Sequence, residues 1–253
     1  MVEITNKRSN KYLGIILKKT KFRESSIIFE LLSPATGKIS FIAKGVRKAK
    51  SKSNGIYELF NIVAIEGYSS PNSSLVISKS ATVIESKLPK NSYDSFVAAS
   101  IAIEFIQNIE FLESENKQFY TLLISFFDYL PKVKKNHILI IWRFLLKAYT
   151  LLGINLNISH CTICDKKLEE INFFSHKNHG FVCKNCLNLL IKNEFIKIPK
   201  NLAEIIIKLD RIGNYIDDIE VSDASKKQFN SILLQYFDNH FGTNLHLKSL
   251  RFL

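Results

Sequence analysis

Residues 11–43 read KYLGIILKKTKFRESSIIFELLSPATGKISFIA. Three short runs rich in Ile, Leu and Phe, at 11–18, 26–32 and 38–43, are separated by a basic stretch and by the turn Pro34-Ala35-Thr36-Gly37. Runs of that length, dense in β-formers and broken by turn residues, predict strands. Two more follow at 57–66 (YELFNIVAIE) and 74–84 (SLVISKSATVI), separated by the turn-rich 67–73. Five strands within the first 90 residues predict a small barrel or sandwich. The count fits a five-stranded Greek-key barrel, the OB-fold. Five strands alone do not separate it from an SH3-like barrel.

Beyond Pro89 the period changes. Phe96, Ala99, Ile103 and Ile106 recur at helical steps, with Asn91 or Ser92 as cap and Asp94 in the first turn. A second helix is predicted over 115–130, stopped by Pro131. A third is predicted over 136–152, with Ile138, Ile141, Trp142, Leu145, Tyr149 and Leu152 on one face and Gly153 as its stop. Leu202, Ile205, Ile206 and Leu209 mark a shorter helix; Phe229, Ile232, Leu233, Tyr236 and His240 mark a long one ended by Gly242. These helices carry more apolar residues than single amphipathic faces need, so they are expected to bury one another as a bundle.

The composition is that of a globular chain: 253 residues, 46% apolar and 23% charged. No apolar run reaches the roughly eighteen residues of a bilayer span, and the most apolar stretch, 138–152, is broken by Arg143 and Lys147. Residues 1–8 contain no apolar targeting segment, so a soluble cytoplasmic protein is expected. The charge is lopsided, 35 Lys+Arg against 23 Asp+Glu, a net of +12 that favours a polyanionic partner. Residues 1–90 hold 16 basic and 6 acidic side chains, whereas 91–253 hold 19 and 17. The surplus gathers in two clusters, Lys18, Lys19, Lys21 and Arg23, then Lys44, Arg47, Lys48, Lys50 and Lys52. The predicted strands place both clusters in loops, where they would meet a phosphate backbone. Phe22, inside the first basic loop, is the aromatic best placed to stack on a base. Tyr12, Tyr57, Phe60 and Tyr68 are read first as core.

Four cysteines complete the pattern: Cys161-Thr162-Ile163-Cys164, eighteen residues, then Cys183-Lys184-Asn185-Cys186. Two residues between thiols let a knuckle offer both sulfurs to one ion, and two knuckles make a tetrahedron, so one structural zinc ion is expected. Disulfides are disfavoured in a chain with no export signal. Four thiolates leave no position for a metal-bound water, so this zinc is not catalytic. Ile171, Phe173 and Phe174, then Phe181-Val182, predict a hairpin between the knuckles with 177–180 as its turn. His160, His176 and His179 are read as surface or turn residues, and His137, His240 and His246 carry no partner pattern. The expected architecture is α+β and multidomain: a five-stranded barrel, OB-fold or SH3-like, over 1–88, a helical bundle domain over 89–158 and 191–253, and an inserted four-cysteine zinc ribbon over 159–190.

Motifs of catalysis are missing. The nine glycines never form a P-loop, and neither H-E-x-x-H nor G-x-S-x-G occurs. Lys208-Leu209-Asp210-Arg211 lacks the glycine of a nucleotidyl-transferase motif and reads as helix surface. A non-enzymatic binding protein is expected.

The order of these parts resembles the RecO family of bacterial recombination mediators. Local stretches carry the resemblance: Glu24-Ser25-Ser26-Ile27-Ile28 entering the second strand; Gly37-Lys38 through Ala43-Lys44-Gly45-Val46-Arg47-Lys48, with Ser51 or Ser53 beyond; Leu152-Gly153 to Cys161-x-x-Cys164; and Lys248-Ser249-Leu250-Arg251. The resemblance implies an OB-fold that binds single- and double-stranded DNA, and a protein that anneals complementary strands in DNA repair and recombination. It also implies association with RecR, remodelling of single-strand-binding protein so that RecA loads, and a nucleoid-associated cytoplasmic location. Lys132, Lys134, Lys135 and Arg143 are the candidates for receiving the acidic tail of single-strand-binding protein. Solvated basic residues are the alternative at each. The rival readings are a zinc-ribbon RNA-binding protein of translation or transcription and a metal-dependent hydrolase or nuclease.

Overall fold

A computed structural model describes residues 9–48, 55–70, 73–190 and 194–253. In chain order its strands and helices are β1 (Asn10–Phe22), β2 (Ser26–Ser33), β3 (Gly37–Ala43), β4 (Asn61–Ser70), β5 (Ser73–Ser86), α1 (Tyr93–Asn108), α2 (Asn116–Tyr129) and α3 (His137–Leu151). Then come β6 (Phe173–Ser175), β7 (Gly180–Val182), α4 (Lys184–Leu187), β8 (Phe195–Lys197), α5 (Lys200–Lys208) and α6 (Asp223–Phe241). Two compact units result, one of Met1–Lys90 with Ile109–Asp128, the other of Asn91–Asn108 with Tyr129–Leu253.

In the first unit the strands close into a barrel in the order β1-β2-β3-β5-β4. β3 and β5 pair in parallel, Phe41 opposite Val76 and Ala43 opposite Ser78, while every other pairing is antiparallel. That order with its one parallel pair is the OB arrangement, and it settles the choice left open against an SH3-like barrel. Alternate residues fill the interior: Ile16, Ile27, Phe29, Leu31, Phe41, Tyr57, Val63, Ile65 and Val76 form one buried cluster. Phe29 and Phe41 stack at 5.1 Å, and Tyr12 meets Phe41 edge-on at the same distance. Tyr57 and Phe60 are 5% and 2% exposed, so the reading of these aromatics as core holds. Both lie ahead of β4, which begins four residues later than the apolar run suggested.

A helix from beyond the strands belongs to this unit. α2 buries Phe119, Leu123, Phe126 and Phe127, with Phe127 edge-on to Phe60 at 5.8 Å. Its first residue, Asn116, sits against Gly37, whose φ of +67° already favours glycine and whose missing Cβ leaves room for the amide. At its other end Asp128 accepts from Lys87 at 2.6 Å.

The second unit is built on α1, α3, α5 and α6. Ser92 caps α1 by accepting from the Ser95 amide at 3.1 Å, and Ser222 caps α6 likewise at 3.2 Å. Gly153 and Gly242 follow α3 and α6 with φ of +76° and +63°, the left-handed C-terminal stops their sequence positions predict. Trp142 is fully buried; its indole N–H donates to Asn230 at 2.7 Å and its ring meets Phe229 at 4.8 Å. Tyr149 donates to the Leu233 carbonyl at 2.9 Å. The chain end is tied down by Ser249, whose N–H and hydroxyl both donate to Glu104 at 2.9 and 2.7 Å. Two expectations need correction. Phe96 is 42% exposed and His240 is exposed, although the helical spacing predicts both on apolar faces. Ala99, Ile103 and Ile106 are buried as expected, and the buried side of α1 extends over Ala98, Ala102 and Phe105 rather than Phe96, while α6 turns Phe237 inward in place of His240.

The predicted hairpin between the cysteine knuckles is present as β6 and β7. β8 adds a third strand, Phe174 opposite Ile196, giving the order β7-β6-β8. β8 is as short as β6 and β7, but it lies beyond the second knuckle, where no flanking cysteine pair frames it.

Candidate nucleic-acid interface and metal centre

The first basic cluster is not a loop. Lys18, Lys19, Lys21 and Phe22 lie within β1, and the ladder with β2 continues through Lys18 opposite Glu30, Lys19 opposite Phe29, Lys21 opposite Ile27 and Phe22 opposite Ser26. A run of lysines does not end a strand while the backbone partner is still available. Only Arg23 leaves the ladder, in a tight turn with a φ of +51°. In the second cluster Lys44, Arg47 and Lys48 leave the end of β3 as expected. Lys50 and Lys52 lie outside the described residues.

The fold brings the two clusters together. β2 runs between β1 and β3, and Ile27 faces Lys21 on one side and Ala43 on the other. The end of β1 and the exit of β3 are therefore two strand spacings apart, about 10 Å. Arg47 closes the gap: its N–H donates to the Ser25 carbonyl at 2.9 Å and its Nη1 to the Arg23 carbonyl at 2.9 Å.

The cations are unequal. Lys19 is paired with Glu58 at 2.6 Å. Lys18 faces Glu30, a carboxyl raised by burial against the opposing pull of Lys38 and Lys18. Lys21, Arg23, Lys44, Arg47 and Lys48 are exposed and, among the described residues, make no salt bridge. Five cations without a salt bridge, against Glu24 exposed in the same turn, leave this edge of the barrel net positive and attractive to anions. The neutralising role of Glu58, thirty-nine residues from Lys19, escapes any reading by spacing.

Lys132, Lys134 and Lys135 share one exposed connection between α2 and α3. Arg143 lies within α3, half-buried, with its Nε buried and, among the described residues, without a hydrogen-bond partner.

The cysteines converge as their spacing demands. The sulfurs of Cys161, Cys164, Cys183 and Cys186 all lie within 4.8 Å of one another. Zinc–sulfur bonds of about 2.3 Å give a regular tetrahedron sulfur edges of about 3.8 Å, and Cys164 and Cys183 are 3.8 Å apart. The donor set therefore fits a tetrahedral thiolate-binding ion. Asp165, with a φ of +55°, turns the first knuckle back so that its N–H reaches the Cys161 carbonyl at 2.9 Å. Burial would raise the Cys161 pKa, but amide donors from Cys183, Cys164 and Ile163 outweigh it and bring it to about 6. Cys186 goes the other way, to about 12, through burial and the neighbouring thiols. Four sulfurs this close cannot all ionise without a cation among them. The knuckle is seated on the hairpin: Thr162 N–H donates to the Phe181 carbonyl at 2.9 Å, and a Cβ at Gly180 would stand 2.9 Å from Thr162.

His160, His176 and His179 stay outside this centre. His179 is exposed at the hairpin turn, 3.2 Å from Asn239. His137, to which spacing gave no partner, is buried with its Nε2 2.8 Å from the Ser95 hydroxyl.

Barrel and ribbon define the class: an OB-type barrel with a cationic edge, joined in one chain to a helical unit that carries a four-thiol centre. A family model described as Recombination protein O N terminal matches residues 8–87, and one described as Recombination protein O C terminal matches 90–251. The chain belongs to the recombination protein O (RecO) family. It is 24% identical over 250 residues to the DNA repair protein RecO of Prosthecochloris aestuarii, covering 95% of each chain. It is 26% identical to that of Bacillus pumilus (95% of this chain, 91% of the relative) and 27% to that of a Thermoanaerobacter species (95% of each). Among the described residues no helix is long and apolar enough to cross a membrane.

Proposed function

We propose that this protein is a non-catalytic mediator of DNA repair and recombination, which binds single- and double-stranded DNA and brings complementary strands together. The observation that carries the reading is the joined cationic edge, with five described cations that make no salt bridge. Two strands repel through their phosphates. A surface that holds both lowers that barrier without making or breaking a covalent bond. Contacts to phosphate position the strand and carry little sequence preference.

The relatives' name, DNA repair protein RecO, supports the same role for this chain. On that reading it works in the cytoplasm, on the nucleoid, with RecR and with DNA coated by single-strand-binding protein, clearing the way for RecA. Lys132, Lys134, Lys135 and Arg143 are its proposed contacts to the acidic tail of single-strand-binding protein. The ion of the ribbon is zinc, chosen by four thiolates and a tetrahedral cage, with a structural role. The proposed division is a barrel over 1–88, helices over 89–158 and 191–253, and the ribbon over 159–190, with α2 seated on the barrel and β8 completing the ribbon's sheet.

The test is strand annealing on complementary oligonucleotides coated with single-strand-binding protein, run beside matched RNA strands. Annealing that favours DNA and needs no nucleotide cofactor is the expected result. A preference for RNA, or no acceleration of annealing, would contradict the proposal.

A further inference from the structure

We infer that Phe22, Arg23 and Arg47 form a preset clasp for one unpaired nucleobase, with Arg47 as its positioning residue. The inference rests on the DNA-binding reading above and sharpens it, from phosphates in general to a base that must be out of its pair. It starts from a strained residue. Arg23 holds a φ of +51°, a left-handed conformation unfavourable for a residue with a Cβ. Such outliers persist only where neighbours over-determine them. Here the neighbour is Arg47, whose amide and Nη1 fasten both sides of the turn at 2.9 Å each. Its charge adds to the cationic edge, but two of its donors are already engaged within the protein.

The turn so held carries Arg23 back over Phe22, the guanidinium carbon 5.2 Å from the ring centroid. Phe22 is half-buried and fixed by its ladder position opposite Ser26, whereas Arg23 is exposed. The result is a layered surface, aromatic ring beneath and planar guanidinium above. Planar guanidinium groups and aromatic rings are the platforms on which splayed bases stack. A base inside a duplex has both faces occupied and cannot join the stack. Lys21, Lys44 and Lys48 stand on the same edge to hold the flanking phosphates.

The test uses the full chain and two probes of equal length, an oligo-dT strand and its abasic sugar–phosphate counterpart. The wild-type protein should bind the base-bearing strand about 5-fold or more tightly. Phe22→Ala should erase that preference and leave abasic binding unchanged, with Phe22→Leu as a second variant that keeps apolar packing. Arg47→Lys keeps the charge but loses the planar fork, and should narrow the preference at unchanged unfolding temperature. Equal affinity of the wild type for the two strands would overturn the clasp, as would a preference that survives both Phe22 variants. A full preference retained by Arg47→Lys would remove Arg47 from it. Loss of salt dependence for both probes would instead strike the DNA-binding reading itself.

Discussion

Two side chains show how local surroundings decide chemistry. His137 is pressed below the ordinary imidazole range by burial, with Asp94 pulling the other way. The unfolded chain takes up a proton near pH 6.5, about the unperturbed value, and the fold resists it until lower pH. Stability is therefore fully present above that point and is lost as pH falls through the depressed folded value. His137→Gln should flatten the decline in unfolding temperature between about pH 7 and about pH 5.5; an unchanged decline would place its source elsewhere. At the thiol centre, Cys186→Ser should abolish stoichiometric zinc in the purified protein, read by elemental analysis, and expose 159–190 to proteases. A chelator should do the same to the wild type, since ligation supplies about 10–16 kcal/mol in apparent terms to small zinc modules. Retained zinc in the serine variant would show that these sulfurs do not form the cage.

Elements were legible where pattern and length agreed. All five barrel strands and the helices at 115–130 and 136–152 start and stop within four residues of their expected bounds, because turn residues and glycine caps mark them. One of the largest departures is instructive: β1 runs on past Lys18 through Lys19, Lys21 and Phe22, since charge does not end a ladder whose partner strand continues. β8 lies outside the cysteine pairs that frame the equally short β6 and β7, and the seating of α2 on the barrel depends on contacts no local pattern encodes. That seating predicts an effect. Phe127 is 3% exposed against Phe60, so Phe127→Ala should destabilise the barrel unit by about 3–5 kcal/mol in denaturant melts. A cost near zero would mean that α2 is not part of its core. Gly180→Val should likewise loosen the ribbon, because Thr162 occupies the space its side chain needs.

Across the whole molecule, the asymmetry of charge was plain in the sequence, 16 basic against 6 acidic residues in the first 90. What it hid was which cations are spent. Lys19 is lost to Glu58, and the clusters become one surface only through β2 and the Arg47 bonds. Glu58→Gln should free Lys19 and strengthen single-strand binding; weaker binding would show that the pair instead shapes the edge. The convergence of all four cysteines was legible because two-residue knuckles restrict the backbone to few solutions. The central claim, that this edge grips phosphates, is tested most directly by the affinity for single-stranded DNA measured across salt concentrations. Five engaged cations predict a slope of log K against log salt of about −3.5, falling by about 2 in magnitude when Lys21, Lys44 and Lys48 are replaced by alanine. A flat profile, or a slope untouched by those replacements, would contradict it.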